Sequence, residues 1–459
     1  MLQTLKVKSP FTQAVVGEYN FDAEDSVKNK FLKAQKSFVS WKAVPLAERI
    51  QLVQKALEYF TKNAEQIAND ISLQMGRPIS QAGGEVKGLL ERANYLCSIA
   101  ESTLKTQEPP DKPGFYRAIA REPLGVIFVI SAWNYPLLVA VNSVVPALLA
   151  GNTVLLKHSS QTPAIGEHFQ KAFGKLGENE NLLQQLIVDH AMTGKIIEDL
   201  DVQHVVFTGS VAGGAQILTH TAKKFMQPQL ELGGKDAAYV AEDADVANAA
   251  ATVVDGAMFN SGQSCCGIER AYVHASVYPQ FIEECKKVIN DYKLGDPLDK
   301  ATNLGPLVSE KAARFAEKQL KAAIGGGATV EAGGSVITIG KGHFVEPTLL
   351  TNVKQNMEVM QEENFAPVLP VLKVNSLEEA IGFVNDSPYG LTSAIFTKDI
   401  SKAREFAARV NTGTVFMNRC DYLDPALPWT GVKNSGCGSA LSHLGFLSVT
   451  RAKAIHFRK

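Results

Sequence analysis

The sequence predicts an α/β protein with two domains built on parallel sheets and an extended arm. Three observations lead to this prediction. Short apolar runs alternate with helical patterns from position 125 onward, the alternation starts again after Gly234, and three prolines within 106–114 precede an extended segment. Alternation of this kind is typical of a doubly wound parallel sheet, which binds its ligands at the carboxyl ends of its strands.

Helices are predicted for 25–71, where apolar residues recur at helical spacing, and for 86–104. We expect these helices to cover a sheet and to carry no chemistry of their own. The segment 115–121 is predicted to be an extended arm that pairs with a sheet edge of this subunit or of a neighbouring one. The first domain then contributes predicted strands at 125–130, 153–157, 186–188 and 204–208 and helices near 137–149 and 164–176.

The second domain is predicted to hold strands at 237–240 and 268–273 and helices at 246–259 and 278–292. The glycine-rich piece 325–334 is predicted to be a surface turn with a short strand. A phosphate loop is disfavoured there, because no strand precedes it and no Lys-Ser or Lys-Thr pair follows. The last stretch, 446–457, alternates like a terminal strand that a partner's sheet can accept.

Length and composition are those of an ordinary globular protein with more than one domain. The 459 residues are too many for one core, and 45% hydrophobic with 20% charged residues is usual for a globular protein. A net charge of −1 gives no reason to expect nucleic acid or a membrane as a partner. Six cysteines are too few for a disulfide scaffold, and the amino terminus lacks a secretory pattern, so we expect a cytoplasmic protein.

One segment has the length of a membrane span. The residues 123–156 include no charged side chain. Pro136 and Pro146 interrupt the segment, as do several asparagines and glycines. We therefore expect a buried strand, a helix and a second strand there.

The residues around Cys265 suggest reaction chemistry. Cys265 and Cys266 lie in a small polar turn between Gly262 and Gly267. A cysteine reacts as its thiolate, which free amides and cations stabilise, and we expect the amides of a following helical turn to face Cys265. The alternative is a structural cysteine pair on a buried turn, because free cysteines are among the most buried residues.

Glu231 places a carboxylate in an apolar, strand-like run that ends in Gly233 and Gly234. Burial raises the pKa of a carboxyl group toward that of a useful general base. The alternative is an ion pair with Lys235 or with a distant arginine.

The Gly209-Ser210 pair lies at the end of the predicted strand 204–208 and before a helical pattern at 215–225. A helix N-terminus offers free amides and a partial positive charge to a pyrophosphate. The alternative is that Ser210 is an ordinary helix cap, and the pair is not the usual dinucleotide-binding fingerprint.

Several short motifs occur in the order and near the spacings of one enzyme family. They are 133–136 (Trp-Asn-Tyr-Pro), the segment of Lys157, 207–210 (Phe-Thr-Gly-Ser), 231–235 (Glu-Leu-Gly-Gly-Lys), 262–265 (Gly-Gln-Ser-Cys), 362–367 (Glu-Glu-Asn-Phe-Ala-Pro) and 428–431 (Pro-Trp-Thr-Gly). Over essentially its whole length the sequence resembles the non-acylating, NAD(P)-dependent aldehyde dehydrogenases.

This resemblance implies an aldehyde dehydrogenase-like fold in three parts. They are a Rossmann-like cofactor domain at 1–104 and 123–233, an α/β catalytic domain at 234–440 and a β oligomerisation arm at 105–122 and 441–459. The resemblance also implies a homodimer or homotetramer, NAD or NADP as the cofactor, a small-molecule aldehyde as the substrate and no bound metal.

By the same resemblance, Cys265 is the nucleophile that attacks the aldehyde carbon to form a thiohemiacetal. The side-chain amide of Asn134 and the backbone amide of Cys265 hold the oxyanion. Hydride transfer to the nicotinamide then leaves a thioester, and Glu231 activates the water that hydrolyses it. Members that pass the acyl group to coenzyme A tend to lack this carboxylate, so Glu231 favours a free acid as the product.

For the cofactor, the resemblance implies contacts from Trp133, Lys157, Ser160, Gly209, Ser210, Gly233, Glu363 and Phe365. Lys157 would reach the adenosine ribose, Ser210 the pyrophosphate and Glu363 the nicotinamide ribose, with Phe365 packed nearby. NAD-preferring branches commonly carry Glu at position 160. Ser160 instead leaves room for a 2′-phosphate, so NADP or dual use is expected. Phe-Ala-Pro at 365–367 stands where the family usually has Phe-Gly-Pro.

The family's aldehyde tunnel corresponds to Tyr135, Asn142, Ser264, Cys266 and Trp429. Trp429 resembles the aromatic that holds a cationic head in amino-aldehyde and betaine-aldehyde branches, and Asp421 and Asp424 would add negative potential. Arg419 would cancel part of that potential, and Asn142 replaces an aromatic that those branches often carry. A cationic amino-aldehyde, a semialdehyde with a carboxylate and a broad aldehyde range therefore all remain open.

Two other functions compete with aldehyde oxidation. A thiol esterase would use Cys265 and Glu231 without redox chemistry, although Lys157 and Ser210 argue against it. A binding relative without activity would keep the fold alone, although it would have no need of Asn134 beside those two residues.

Overall fold

The structure is a computed structural model that describes residues 4–459, and these contain twenty-one β-strands and fifteen α-helices. The strands are β1 (Thr4–Lys8), β2 (Val15–Asn20), β3 (Phe115–Pro123), β4 (Val126–Ser131), β5 (Thr153–His158), β6 (Lys175–Leu176), β7 (Asn179–Glu180), β8 (Leu183–Gln185), β9 (His204–Thr208), β10 (Gln229–Glu231), β11 (Asp236–Val240), β12 (Ile268–His274), β13 (Thr329–Ala332), β14 (Val336–Ile339), β15 (Gly342–Val345), β16 (Thr348–Thr351), β17 (Val368–Val374), β18 (Thr392–Phe396), β19 (Thr414–Met417), β20 (Gly436–Cys437) and β21 (Thr450–Arg458). The helices are α1 (Glu24–Trp41), α2 (Leu46–Lys62), α3 (Ala64–Met75), α4 (Ile79–Leu104), α5 (Pro136–Ala150), α6 (Pro163–Phe173), α7 (His190–Asp199), α8 (Val211–Ala222), α9 (Val246–Met258), α10 (Tyr278–Ile289), α11 (Glu310–Gly325), α12 (Glu358–Gln361), α13 (Leu377–Asn385), α14 (Ile400–Arg409) and α15 (Ser442–Ser448).

A six-stranded sheet with the order β20-β10-β9-β4-β5-β8 lies at the centre of the first half of the chain. Its strands are parallel except β20, which is antiparallel to β10 at one edge. The strands predicted at 125–130, 153–157 and 204–208 are confirmed as β4, β5 and β9. The strand predicted at 186–188 is wrong. β8 lies at 183–185 instead, because Leu183 pairs with Val154 of β5. Apolar residues stand on both sides of Gln184 and Gln185, so the sequence did not show which side forms the strand.

The uncharged segment 123–156 folds as predicted into a strand, a helix and a second strand. Every residue of β4 and β5 is buried, and so is most of α5, because helices cover both faces of the sheet. Within residues 4–459, no helix combines the length and the apolar character that crossing a membrane requires.

A seven-stranded sheet with the order β13-β16-β17-β12-β11-β18-β19 forms a second core. Only β13 runs antiparallel to its neighbour. The strands predicted at 237–240 and 268–273 are confirmed as β11 and β12, and α9 and α10 share a core cluster on one face of this sheet. The glycine-rich piece 325–334 contains the short strand β13, as predicted. The domain boundaries stay a prediction, and β20 belongs to the first sheet although its residues fall within 234–440.

The predicted arm is confirmed as β3, which pairs with β21 of the same chain. The register runs antiparallel from Thr450 opposite Pro123 to Arg458 opposite Phe115. The terminal strand begins later than predicted, because Phe446 lies in α15 and is buried in the first core. Most side chains of β21 are exposed, and its outer edge pairs with no strand among residues 4–459.

Candidate active site

Four strands of the six-stranded sheet bring their carboxyl ends to one edge. Because β4, β5, β9 and β10 are parallel, the residues that follow them meet there. Glu231, the last residue of β10, lies beside Thr208, the last residue of β9. Trp133 and Asn134 follow β4, and Gly209 follows β9. This edge therefore gathers the predicted base, the predicted oxyanion donor and part of the predicted cofactor set.

Cys265 lies in a turn that connects a short 3-10 helix, Phe259–Gly262, to β12. Two glycines allow neighbouring backbone to approach this turn. A Cβ on Gly262, whose φ is +71°, would lie 2.2 Å from the carbonyl group of Ala366. A Cβ on Gly234 would lie 2.4 Å from the carbonyl oxygen of Cys265. The loops after β10 and before β17 therefore hold the cysteine turn between them.

The surroundings of the Cys265 thiol differ from the prediction. No helical turn follows it, because the chain enters β12 at Ile268, which pairs with Asp236 of β11. A hydrogen bond with the Cys266 thiol, together with burial, raises the pKa of Cys265 well above its ordinary value. The protonated thiol is therefore the resting form at neutral pH, and a base has to take its proton.

Strained backbone precedes the cysteine. Asn260 and Ser261 have left-handed conformations, with φ of 54° and 57°. Asn260 Nδ2 donates to the carbonyl oxygens of Asn134 at 3.2 Å and of Gln263 at 3.0 Å. Non-glycine residues adopt this conformation rarely, and it persists where surrounding contacts hold it. The Asn260 side chain thus ties the turn before Cys265 to the backbone of Asn134.

A buried ion pair fixes the same two loops. Arg77, between α3 and α4, pairs with Glu85 of α4 at 2.5 Å, and each side chain is only 1% exposed. Arg77 also donates to Asn260 Oδ1 at 3.0 Å and to the carbonyl oxygen of Asn134. Glu85 accepts from the amide of Leu137 at 2.7 Å, in the first turn of α5. Burial raises the pKa of Glu85, and Arg77 opposes that shift. The pair sets the positions of Asn134, α5 and the cysteine turn relative to one another.

Two cavities meet at Cys265. The first, of about 260 Å³, is the Arg92 cavity, lined by Arg92 of α4 and by four predicted substrate residues, Tyr135, Asn142, Cys266 and Trp429. The fifth, Ser264, does not line it, and its hydroxyl lies 3.5 Å from the Cys266 sulfur.

The second, of about 210 Å³, is the Glu363 cleft, and the predicted residues that line it are Trp133, Asn134, Gly209, Ser210, Gly233, Glu363 and Phe365. The rings of Trp133 and Phe365 meet edge to face at 5.7 Å. Ser210 is the cap of α8, since its Oγ accepts from the amide of Gly213 at 3.1 Å. The interpretation of Ser210 as a helix cap is therefore confirmed, and the capped N-terminus faces the cleft.

Cys265, Glu231 and Thr208 line both cavities. Glu231 is buried and accepts from Gln229 Nε2 at 2.8 Å. The alternative of an ion pair with Lys235 is wrong, because Lys235 pairs with Glu269 at 2.8 Å. Burial raises the pKa of Glu231 to about 7. A carboxyl group with this pKa exchanges its proton near neutral pH, as a general base requires.

The side chain of Asn134 is buried and lines the Glu363 cleft with Cys265. Its amide makes no hydrogen bond with any other residue of the range 4–459. A buried amide without a protein partner is available as a donor to an oxygen that develops charge beside the thiol.

Lys157 and Ser160 do not line the Glu363 cleft. Lys157 is buried near the end of β5, burial lowers its pKa, and its ammonium has no ion-pair or hydrogen-bond partner among the described residues. Ser160 follows β5 and is exposed. The structure thus leaves Lys157 near the sheet edge, without a partner in the described part of the chain, and places Ser160 on the surface.

Three buried charged residues of the site escaped prediction, namely Arg77, Glu85 and Arg92. The expectation that the helix at 86–104 carries no chemistry of its own stays a prediction, although Arg92 of this helix lines the cavity beside Cys265. A usable signal exists in the sequence, because Glu85 and Arg92 share the buried face of α4 with Leu89 and Leu96. Charges on an apolar helix face are costly unless they are paired or used.

Comparison with known proteins identifies the family to which the chain belongs. A family model described as the aldehyde dehydrogenase family matches residues 2–455. An aldehyde dehydrogenase of Paenarthrobacter nicotinovorans is 33% identical over 449 residues, which are 97% of this chain and 98% of that protein. A succinate-semialdehyde dehydrogenase (NADP+) of Deinococcus radiodurans is 34% identical over 447 residues, which are 97% of this chain and 93% of that protein.

Among solved structures, the succinic semialdehyde dehydrogenase of Streptococcus pyogenes in complex with NADP+ superposes with a TM-score of 0.95 at 30% identity. The superposition covers 99% of this chain and 100% of that one. These likenesses confirm the predicted fold class and the resemblance seen in the motifs. The chain is therefore a member of the aldehyde dehydrogenase family, an oxidoreductase that acts on the aldehyde group.

Proposed function

We propose that the chain oxidises an aldehyde to the free carboxylic acid with NADP+, through a thiohemiacetal and a thioester on Cys265. The observation that carries this proposal is the meeting of the Arg92 cavity and the Glu363 cleft at Cys265 and Glu231. Substrate and cofactor would then approach one thiol from two sides, with a base between them.

The residues of the chain account for each proton and each bond on the protein. Glu231 takes the thiol proton, and the sulfur of Cys265 bonds to the aldehyde carbon, while the amides of Asn134 and Cys265 donate to its oxygen. The nicotinamide cofactor, when bound, supplies the hydride acceptor. Once the hydride has left, Cys265 carries a thioester. Glu231 passes the first proton to solvent before hydrolysis. Water then gives a proton to Glu231 as its oxygen bonds to the thioester carbon. The carbon–sulfur bond breaks, which releases the acid, and Glu231 returns the proton to the Cys265 sulfur.

The Glu363 cleft has the features that a dinucleotide requires. The N-terminus of α8 presents free amides after Gly209, where a pyrophosphate binds well. A Cβ on Gly233 would lie 2.6 Å from the carboxylate of Glu363, so glycine lets this carboxylate lie against the loop. Glu363 accepts from the amide of Gly234 at 3.0 Å. Its other oxygen has no protein partner in the described range and is available to a ribose hydroxyl.

NADP is proposed over NAD because of the surroundings of Lys157. No carboxylate lies within ion-pair distance of its ammonium among residues 4–459, and Ser160 contributes no negative charge. The acidic group whose charge acts on Lys157 is Asp189, which is engaged as the cap of α7. The names of the Deinococcus and Streptococcus relatives, both linked to NADP+, support the same choice.

The first test follows the absorbance of reduced nicotinamide with an aldehyde panel, using NADP+ and NAD+ in parallel. We expect turnover with NADP+ that disappears in Cys265→Ala. Glu231→Gln should slow the first equivalent of reduced cofactor, because the thiol proton has lost its base, and should lower the steady rate about 100-fold or more, because the thioester then persists. Mass spectrometry should show the acyl group on Cys265. Hydrolysis of a nitrophenyl ester without any cofactor-dependent signal would instead identify a thiol esterase.

The cofactor preference has its own matched pair of variants. Ser160→Glu should lower the ratio of kcat/KM for NADP+ to that for NAD+ by about 10-fold or more, because a carboxylate repels the 2′-phosphate. Ser160→Gln has the same size without the charge and should change the ratio little. Equal ratios in both variants would place the 2′-phosphate away from position 160.

We also propose a homodimer or homotetramer that uses the outer edge of β21. The strand is long and its outer edge is unpaired within residues 4–459, and such an edge is rarely left without a partner. Light scattering at micromolar concentration should give twice or four times the mass of one chain. A monomer would contradict the proposal.

A further inference from the structure

Arg92 is the one buried arginine of the site without a carboxylate partner in the described range. It is 7% exposed and lies on α4 at the wall of the Arg92 cavity. Its Nη1 donates to Asn142 Oδ1 at 3.2 Å and makes a longer, weaker contact of 3.5 Å with the carbonyl oxygen of Leu138. Nε and Nη2 have no protein partner among residues 4–459.

The other buried arginines show what a satisfied guanidinium looks like in this fold. Arg49, Arg77 and Arg270 each donate to two or more protein oxygens through different nitrogens. A guanidinium has five donor hydrogens in a planar fork that matches a carboxylate. The unused donors of Arg92 are therefore an exception among the buried arginines, and buried donors without a hydrogen-bond partner are costly.

Asn142 adds a second donor at the same place. Its Oδ1 is occupied by Arg92, which leaves its Nδ2 without a partner within the described residues. The rest of the cavity wall includes apolar side chains, among them Leu138, Val139 and Phe259. The Arg92 cavity thus combines an apolar wall, the Cys265 thiol and a pair of unused donors that suit an anion.

We propose that the Arg92 cavity binds an aldehyde with a carboxylate at its far end, held by the Arg92 guanidinium and the Asn142 amide while the aldehyde carbon meets Cys265. This inference rests on the proposed function and names its substrate class as a semialdehyde. The apolar wall takes the methylene spacer, and Arg92 is the residue that sets specificity for the charged end.

Acidic side chains in the same cavity favour the opposite substrate, a cationic amino-aldehyde. Asp255 and Asp421 both line it, beside Trp429. Burial raises the pKa of Asp421 to about 7, and the nearby Asp255 carboxylate adds to that shift. Two neighbouring carboxyl groups ionise together with difficulty, whereas a guanidinium stays protonated at any working pH. Arg92 therefore keeps its positive charge over the whole working pH range, whereas the charge of Asp421 depends on pH.

The test compares kcat/KM for succinic semialdehyde, glutaric semialdehyde, pentanal and 4-aminobutanal with NADP+. In the wild type we expect one of the semialdehydes to exceed pentanal by about 10- to 100-fold, the usual effect of a charge-assisted hydrogen bond. Arg92→Met should reduce this preference to about threefold or less. Arg92→Lys should restore part of it, because the charge returns without the fork. Arg404→Met, at an exposed position, serves as the control and should match the wild type.

Two results would overturn the proposal. One is a wild-type preference for 4-aminobutanal, which would mean that the aspartates select the substrate, or for pentanal, which would mean that the apolar wall does. The other is an unchanged semialdehyde preference in Arg92→Met.

If the wild type oxidises no aldehyde, the proposed function fails, and calorimetry with butanoate and butanamide still decides the anion site. Butanoate binding that exceeds butanamide binding and is lost in Arg92→Met supports the site. Equal binding of the two compounds rejects it. Thermal unfolding of each variant confirms that it is folded.

Discussion

Two buried arginines, Arg77 just before α4 and Arg92 in the middle of α4, have opposite surroundings. Arg77 donates to the carboxylate of Glu85, to the side chain of Asn260 and to the backbone of Asn134. Arg92 donates to one side-chain amide and, at long range, to one carbonyl group. Every nitrogen of the Arg77 guanidinium donates to a protein oxygen, whereas in Arg92 only Nη1 does so within residues 4–459. The difference shows that Arg77 connects the loops of Asn134 and Cys265, and it supports the proposal that Arg92 binds the substrate.

The largest effect is expected from breaking the satisfied pair. Arg77→Leu leaves Glu85 buried without its partner, so the free energy of unfolding should fall by about 3–5 kcal/mol. Scanning calorimetry or fluorimetry should show this as a Tm lower by several degrees. Arg404→Leu, on the exposed face of α14, controls for the loss of an arginine as such. A Tm equal to that of the wild type would mean that Arg77 contributes nothing to the fold.

Replacing both members of the pair separates stability from positioning. Arg77→Leu with Glu85→Leu removes both charges, so part of the lost Tm should return. The loops of Asn134 and Cys265 would still lack their common tether, and kcat should remain about 100-fold low, since small misplacements of reacting groups have effects of this size. Recovery of kcat along with Tm would show that the pair only stabilises the fold.

Arg92→Met should have a much smaller effect on stability than Arg77→Leu. A buried cation without a carboxylate partner gains little from its surroundings, so the free energy of unfolding should change by about 1 kcal/mol or less, in either direction. The same thermal measurement checks this. A loss of unfolding free energy as large as that of Arg77→Leu would mean that Arg92 stabilises the fold as Arg77 does, and would contradict the difference drawn between the two arginines.

The smallest expected effect is a shift in pH dependence. Glu231 acts as a base only when ionised, and burial raises its pKa to about 7, so thioester hydrolysis should rise with pH through that value and then level off. The positive charge of Arg92 lowers the pKa of Glu231, and removing it should move the profile to higher pH. The rate of acyl-enzyme hydrolysis after reaction with a nitrophenyl ester isolates this step. A profile that stays in place in Arg92→Met would mean that the two charges do not interact.

Local pattern was sufficient for most of the fold. β4, β5, β9, β11 and β12 were predictable because buried parallel strands are short apolar runs between helical patterns. The strand at 183–185 was not, because pairing with β5 and not hydrophobicity selects it. The pairing of β3 with β21 depends on contacts between distant segments, which periodicity cannot supply.

The residues of the site likewise fall into those that the sequence could identify and those that it could not. Cys265 and Glu231 have unusual local surroundings in the sequence, and Asn134 belongs to a short motif of the family, so the sequence and its resemblance could single them out. Arg77 and Arg92 look like ordinary helix-associated charges, and their roles depend on what α5 and the cysteine turn place around them. The left-handed conformation of Asn260 is likewise invisible in sequence, because long-range hydrogen bonds impose it.

The helix α4 also bears on how this enzyme could acquire a new substrate. Glu85 and Arg92 lie about two turns apart on it, a rise of roughly 10 Å. The framework contact and the substrate contact are thus encoded in one segment, away from the loops that carry the chemistry. A substitution at position 92 would change the charge that the cavity presents to the substrate. A substitution at position 85 would instead leave the buried Arg77 without its partner. Directed evolution of substrate range should therefore begin at position 92 and on the cavity-facing turns beyond it.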